Sequence, residues 1–148
     1  MTRRWQNLLV ARDGVVAMEF AIIASALMML TLGTIEFGRL LWTQEALNAA
    51  AIQTARCIGV RSSSCAAAGA YNADDAKTYA ETAASGWGVT LTSSDITATN
   101  NSATSPCVGD AQVSINYTFQ SVVPGLLTML AGGAALTAQA CFPNQPAS

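Results

Sequence analysis

The chain has 148 residues, 51% of them hydrophobic and only 11% charged, where an ordinary soluble domain carries roughly 25% charged residues. It contains no histidine, which excludes His-dependent triads, imidazole acid–base chemistry and His-containing zinc sites. A net charge of −2 argues against electrostatic nucleic-acid binding, and the length fits one compact domain.

Charge is distributed unevenly. Arg3, Arg4 and Arg12 precede a run over residues 15–35 that is apolar or small apart from Glu19, and no Lys or Arg occurs after Lys77. As a helix, that run rises about 32 Å, enough to cross a hydrocarbon core of about 30 Å. The arginines put residues 1–13 in the cytoplasm by the positive-inside rule, and everything after about Glu36 outside. A cleavable secretory signal ending at Ala24-Ser25-Ala26 is a rival. Glu19 would interrupt its apolar core, however, and Leu27 to Leu32 would leave a second apolar run behind.

The helical pattern continues past the apolar run. Phe37, Leu40, Leu41, Leu47, Ala51, Ala55 and Ile58 recur at mostly three- and four-residue steps, with Gln44 as the polar interruption. Glu36 and Arg39 stand at pairing distance in sequence. No proline precedes Pro106, so one helix is predicted over residues 15–58, with Gly59 as its stop. Its membrane part is 15–35, and Trp42 is expected near the outer membrane–water interface.

The cysteines Cys57, Cys65, Cys107 and Cys141 all fall on the expected outer side, without C-x-x-C spacing. An even count in an oxidising compartment reads as two disulfides, with three connectivities open. Cys57–Cys65 is the natural first bridge, which leaves Cys107–Cys141; four buried thiols are the alternative.

Residues 61–69 read as a loop. A second helix is predicted from 72–74, where Asn72, Asp74 and Asp75 suit a cap and first turn, to Gly86. Alternation predicts strands at 89–92, 96–99 and 113–119, then a break at Pro124-Gly125 and a short apolar element at 126–130. After Gly132-Gly133 a last strand is expected at 134–141. A second membrane span over 122–140 is disfavoured by Pro124, three glycines and Gln139. Tyr79, Trp87, Tyr117 and Phe119 are expected in the core. The predicted class is α+β: a long N-terminal transmembrane and amphipathic helix, one short helix and a small antiparallel sheet.

A glutamate inside an apolar run is unusual enough to carry information. Gly14 stands at the polar–apolar boundary and Glu19 follows five residues later, in Gly14-Val15-Val16-Ala17-Met18-Glu19-Phe20-Ala21. That constellation resembles type IV pilin-like proteins. With Ile35-Glu36-Phe37-Gly38-Arg39, Gln44 and Ala55-Arg56, it is similar to the TadE-like family, minor pseudopilins of the tight adherence (Flp-type) pilus system. Asp13 stands where many such prepilins have a basic residue, and Val15 where they have phenylalanine.

The resemblance implies a leader, residues 1–14, cut after Gly14 by a prepilin peptidase that reads Gly14, Val15, Glu19 and Phe20. It implies a pilin-like fold with an outer domain over 59–148, and assembly through the Val15 amine and Glu19. The implied partners are other major and minor pilins, the prepilin peptidase and the inner-membrane assembly platform. The implied location is the bacterial inner membrane, single-pass with a periplasmic C-terminal domain, with incorporation into an extracellular pilus also open. No enzyme activity, cofactor, metal or nucleic acid is expected. An uncleaved single-pass envelope protein with a partner-binding outer domain is the alternative, and a membrane-tethered enzyme has no residue constellation behind it.

Overall fold

The computed structural model describes residues 12–67, 70–104, 106–121 and 135–145. Residues 1–11 of the expected leader, the Pro124-Gly125 break, the element expected at 126–130 and Gly132-Gly133 lie outside the described residues. The chain divides into two compact units, Met1–Gly38 and Arg39–Ser148. Helix α1, Arg12–Gly59, begins in the first and ends in the second. It is long and apolar enough to cross a membrane.

In the first unit the large apolar side chains of α1 stand exposed on every side, Met29 at 76% and Phe20 at 72%. In the second unit α1 becomes one-sided. Ala46, Leu47, Ala50, Ala51, Thr54, Ala55 and Ile58 are buried, following the 3.6-residue period of a core-facing stripe. The predicted stripe holds from Leu47 onward, whereas Phe37 and Leu41 are largely exposed. Thr54, fully buried, satisfies its hydroxyl on the Ala50 carbonyl at 2.8 Å.

The end of α1 differs from the expected glycine stop. Gly59 is the last helical residue, and the left-handed conformation that turns the chain falls two positions on, at Arg61 (φ 54°). Arg61 N–H donates to Ile58 O and Ser62 N–H to Cys57 O, both at 3.0 Å, which satisfies the last carbonyls in a Schellman pattern. Gly59 is needed for space instead. A Cβ there would lie 2.5 Å from Phe142 Cδ1 and 3.0 Å from the Pro143 carbonyl oxygen.

The expected loop over 61–69 contains β1 (Ala66–Ala67), which pairs with β2 (Ala70–Tyr71) as a minimal hairpin. Two-residue strands are too short to show alternation. Helix α2 is Ala73–Ser85, capped by Asn72, whose Oδ1 accepts the backbone N–H groups of Asp74 and Asp75. Its buried face is Ala76, Ala80 and Ala84.

The stretch 89–92, predicted as a strand, is not one. Val89 and Leu91 are buried, but the chain then turns. Asp95 accepts from the Thr92 hydroxyl at 2.7 Å and the Thr92 N–H at 2.9 Å. These bonds, the hydroxyl first, hold its carboxyl below the usual aspartate value. Alternation there reports burial without pairing.

The sheet is antiparallel in the order β3-β4-β5: β3 is Ile96–Thr99, β4 Ala111–Thr118 and β5 Ala135–Phe142. In register, Ile115 lies between Ile96 and Ala138, and Val113 between Ala98 and Ala140. These residues share one core cluster with the buried faces of α1 and α2. Alanine dominates it, and Leu47, Ile115 and Val113 are its largest fully buried apolar side chains. So small a core gains limited hydrophobic stabilisation per residue. Two disulfides, Cys57–Cys65 and Cys107–Cys141, cross-link the unit around it. In the loop-entropy model, links of these spans stabilise by about 2–4 kcal/mol each.

Candidate functional site

The sequence singled out Gly14, Val15, Glu19 and Phe20, and the structure places all four on the first turns of described α1. All are exposed, and Gly14 has open space around it. Val15 and Glu19 are one helical turn apart and share a face.

The polar groups of this apolar run fall into two classes. Ser25 donates to Ile22 O at 2.8 Å, Thr31 to Leu27 O at 3.0 Å and Thr34 to Thr31 O at 2.8 Å. Each hydroxyl is therefore satisfied by its own helix, which lets it sit in an apolar medium at little penalty. Glu19 has no such recourse, because an ionised carboxylate is acceptor-only and the residues three and four positions away, Val15, Val16, Ile22 and Ile23, carry no side-chain donor. An unpaired carboxylate is costly in an apolar surround, so that group calls for a cation.

Farther along, the polar interruption Gln44 turns inward, donating from Nε2 to the Thr137 carbonyl on β5 at 2.9 Å. Arg39 places its guanidinium 5.5 Å from the Phe119 ring centroid, a cation–π distance. Trp42 donates its indole N–H to the Trp87 carbonyl at 3.2 Å, and the two rings meet edge to face at 5.7 Å. Tyr79 and Tyr117 pack partly buried against the core and Phe119 is buried, as expected, but Trp87 is 43% exposed. Nothing in local sequence signals the Trp42–Trp87 contact, which joins positions 45 residues apart.

The acidic residues of α2 are engaged structurally. Asp74 and Asp75 occupy the first turn, and Glu81 accepts from the Ser93 hydroxyl at 2.7 Å. Gln53, Arg56, Cys57, Val60, Ser62 and Tyr79 line an open hollow beside the first disulfide. Among the described residues no group of three or more His, Cys, Asp or Glu side chains could hold a metal ion.

Residues 14–56 match the family TadE-like protein. The matched segment runs from the boundary glycine through Glu19 and Gln44 to Arg56, so it covers the exposed apolar helix and most of the buried stripe. No curated protein and no solved structure matches the chain.

Proposed function

Taking the TadE-like segment as premise, we propose that the chain is a minor pseudopilin, a non-enzymatic subunit of the tight adherence (Flp-type) pilus system. The TadE-like match supports a place in that system in general. The finer reading rests on one observation: an exposed apolar helix whose Glu19 lacks the helix-internal partner its neighbouring hydroxyls have. Such a helix needs lipid while it waits in the membrane and other helices when it assembles. The carboxylate supplies a charge that a neighbouring subunit's N-terminal amine can meet.

In this reading, cleavage after Gly14 removes the arginines that set topology and exposes an amine on Val15, whose ordinary pKa of about 7.7–8.0 leaves it largely protonated at neutral pH. The prepilin peptidase is the processing enzyme, other pilins are the helix partners, and the inner-membrane platform receives the subunit. An α+β domain of this size beyond the helix suits initiation or the tip better than the bulk of the filament. Residues 1–14 remain cytoplasmic until cleavage, and the disulfide-linked domain faces the periplasm.

The mature N-terminus tests the proposal. After expression with the native assembly system, intact mass and N-terminal sequencing are expected to give Val15. Met1 alone would favour an uncleaved single-pass envelope protein, and a start after Ala26 would favour ordinary secretion.

A further inference from the structure

We propose that the hollow beside the Cys57–Cys65 link receives the Glu45 carboxylate of a second copy of this chain, paired there with Arg56. The inference rests on the reading above, in which subunits of one polarity assemble side by side. All the residues it uses belong to the second unit.

The hollow is rich in donors. Arg56 brings a guanidinium, Gln53 an amide, and Ser62 and Tyr79 a hydroxyl each, while Cys57 and Val60 give it an apolar side. None of those four polar side chains makes a hydrogen bond or ion pair among the described residues, and no carboxylate lines the space. A cation flanked by neutral donors, with no acid of its own, is suited to a carboxylate, which only accepts.

Glu45 supplies the matching group. It stands exposed on α1 and, like Arg56, is without a partner among the described residues. Glu45 and Arg56 are eleven residues apart, about three turns, and so lie on one stripe of the helix. Leu41 and Ile52 share that stripe, 49% and 59% exposed, on the side away from the buried residues Leu47, Ala50 and Thr54. The two charges are about 16–17 Å apart along the axis, too far to meet within one chain.

A second copy running the same way, shifted by those eleven residues, sets Glu45 against Arg56, Leu41 against Ile52, and Ala49 against the exposed Val60. One contact pairs opposite charges and two pair apolar groups. Each copy still offers one free Glu45 and one free hollow, so the contact is heterologous and continues along a fibre without closing on itself. An ion pair this open adds little affinity and chiefly sets the register.

Arg56→Lys keeps the charge and adds an amine for zero-length carbodiimide cross-linking of the full chain, expressed with its native assembly system. The expected product joins Glu45 to the new amine at position 56, identified by peptide mass, and a single chain cannot form it across that rise. Charge reversal is the second arm. Glu45→Lys or Arg56→Glu alone should lower capture between differently tagged copies about 3–10-fold, and mixing the two variants should restore it. Non-reducing mass checks both disulfides in each variant first, so that loss of capture is not loss of fold.

If the mature N-terminus is Val15 but no such link forms and the reversals leave capture unchanged, this contact alone is overturned. A Met1 terminus removes the pilus-subunit reading and the contact with it. A link from position 56 to a carboxylate of another protein, or reversals without rescue on mixing, overturns the second copy as occupant.

Discussion

The side-chain amide of Gln44 and the backbone carbonyl of Thr137, 93 positions apart, meet at 2.9 Å. The polar residue that interrupts the buried stripe of α1 thereby ties the helix to strand β5, at the edge of the sheet. Gln44 also lies 3.5 Å from Asn48 Oδ1, one turn on. Gln44→Leu keeps the bulk but removes the donor. The expected loss is about 1 kcal/mol of domain stability, read from the denaturant midpoint at unchanged slope.

Gly59 and Arg61 divide a task that glycine often performs alone. Gly59→Ala drives a Cβ against Phe142 and the Pro143 carbonyl and should destabilise by about 1–3 kcal/mol. Arg61→Gly relieves a left-handed arginine and should be neutral or stabilise by up to about 1 kcal/mol. Thermal melts of the two variants are expected to move apart, with Gly59→Ala below the parent.

Tyr71 should give the domain an alkaline limit. Its hydroxyl donates to the Ala98 carbonyl on β3 at 2.6 Å. Burial first, then the Asp74 charge, raises its pKa above the ordinary 10.0. The folded state therefore holds this proton more tightly than the unfolded chain does. That contribution is complete below pH 10.0 and is lost as pH rises through the higher folded value. Tyr71→Phe should cost about 0.5–1.5 kcal/mol at neutral pH and flatten the fall in stability that begins above pH 10.0, as a pH series of melts would show.

Glu19→Ala should leave membrane insertion and cleavage after Gly14 intact, because the run becomes more apolar and the boundary glycine is unchanged. Association with pilin partners should fall, since a subunit amine would lose its counter-charge in an apolar bundle. Cross-linking and co-purification at matched expression measure this. Normal recovery of partners and normal piliation would return Glu19 to the rank of a tolerated interfacial residue.

What could be seen in the sequence was whatever depends on local period and chemistry. The apolar run, the burial of Leu47, Ala51, Ala55 and Ile58, the Asn72 cap and the alternation of β4 all repeat at spacings that a single segment displays. Val89 and Leu91 show the limit of that logic, because a side chain can alternate in burial along a strand or an irregular turn alike. Gln44 was visible as an oddity, but its acceptor lies on the final strand. Arg61 in a left-handed turn and Trp87 beside Trp42 depend on partners and strain that no spacing encodes. At the candidate site, the positions of Glu19 and Gly14 were legible. The self-satisfied hydroxyls of Ser25, Thr31 and Thr34, which set Glu19 apart, needed atomic geometry.

The Cys107–Cys141 link has a mechanical consequence. A chain pulled along its backbone can yield only the contour length not closed off by covalent bonds. This disulfide spans 34 residues of sequence, which removes roughly 110–120 Å from the extension available at full stretch. Under load, the segment from Ala111 through β4 into β5 therefore stays inside a closed loop even if the sheet comes apart. In an optical-trap pull from both termini, the oxidised protein should end shorter than the reduced one by this length plus the roughly 26–29 Å held back by the Cys57–Cys65 link, of sequence separation 8, with β4 and most of β5 inside the larger hidden loop and β3 outside it.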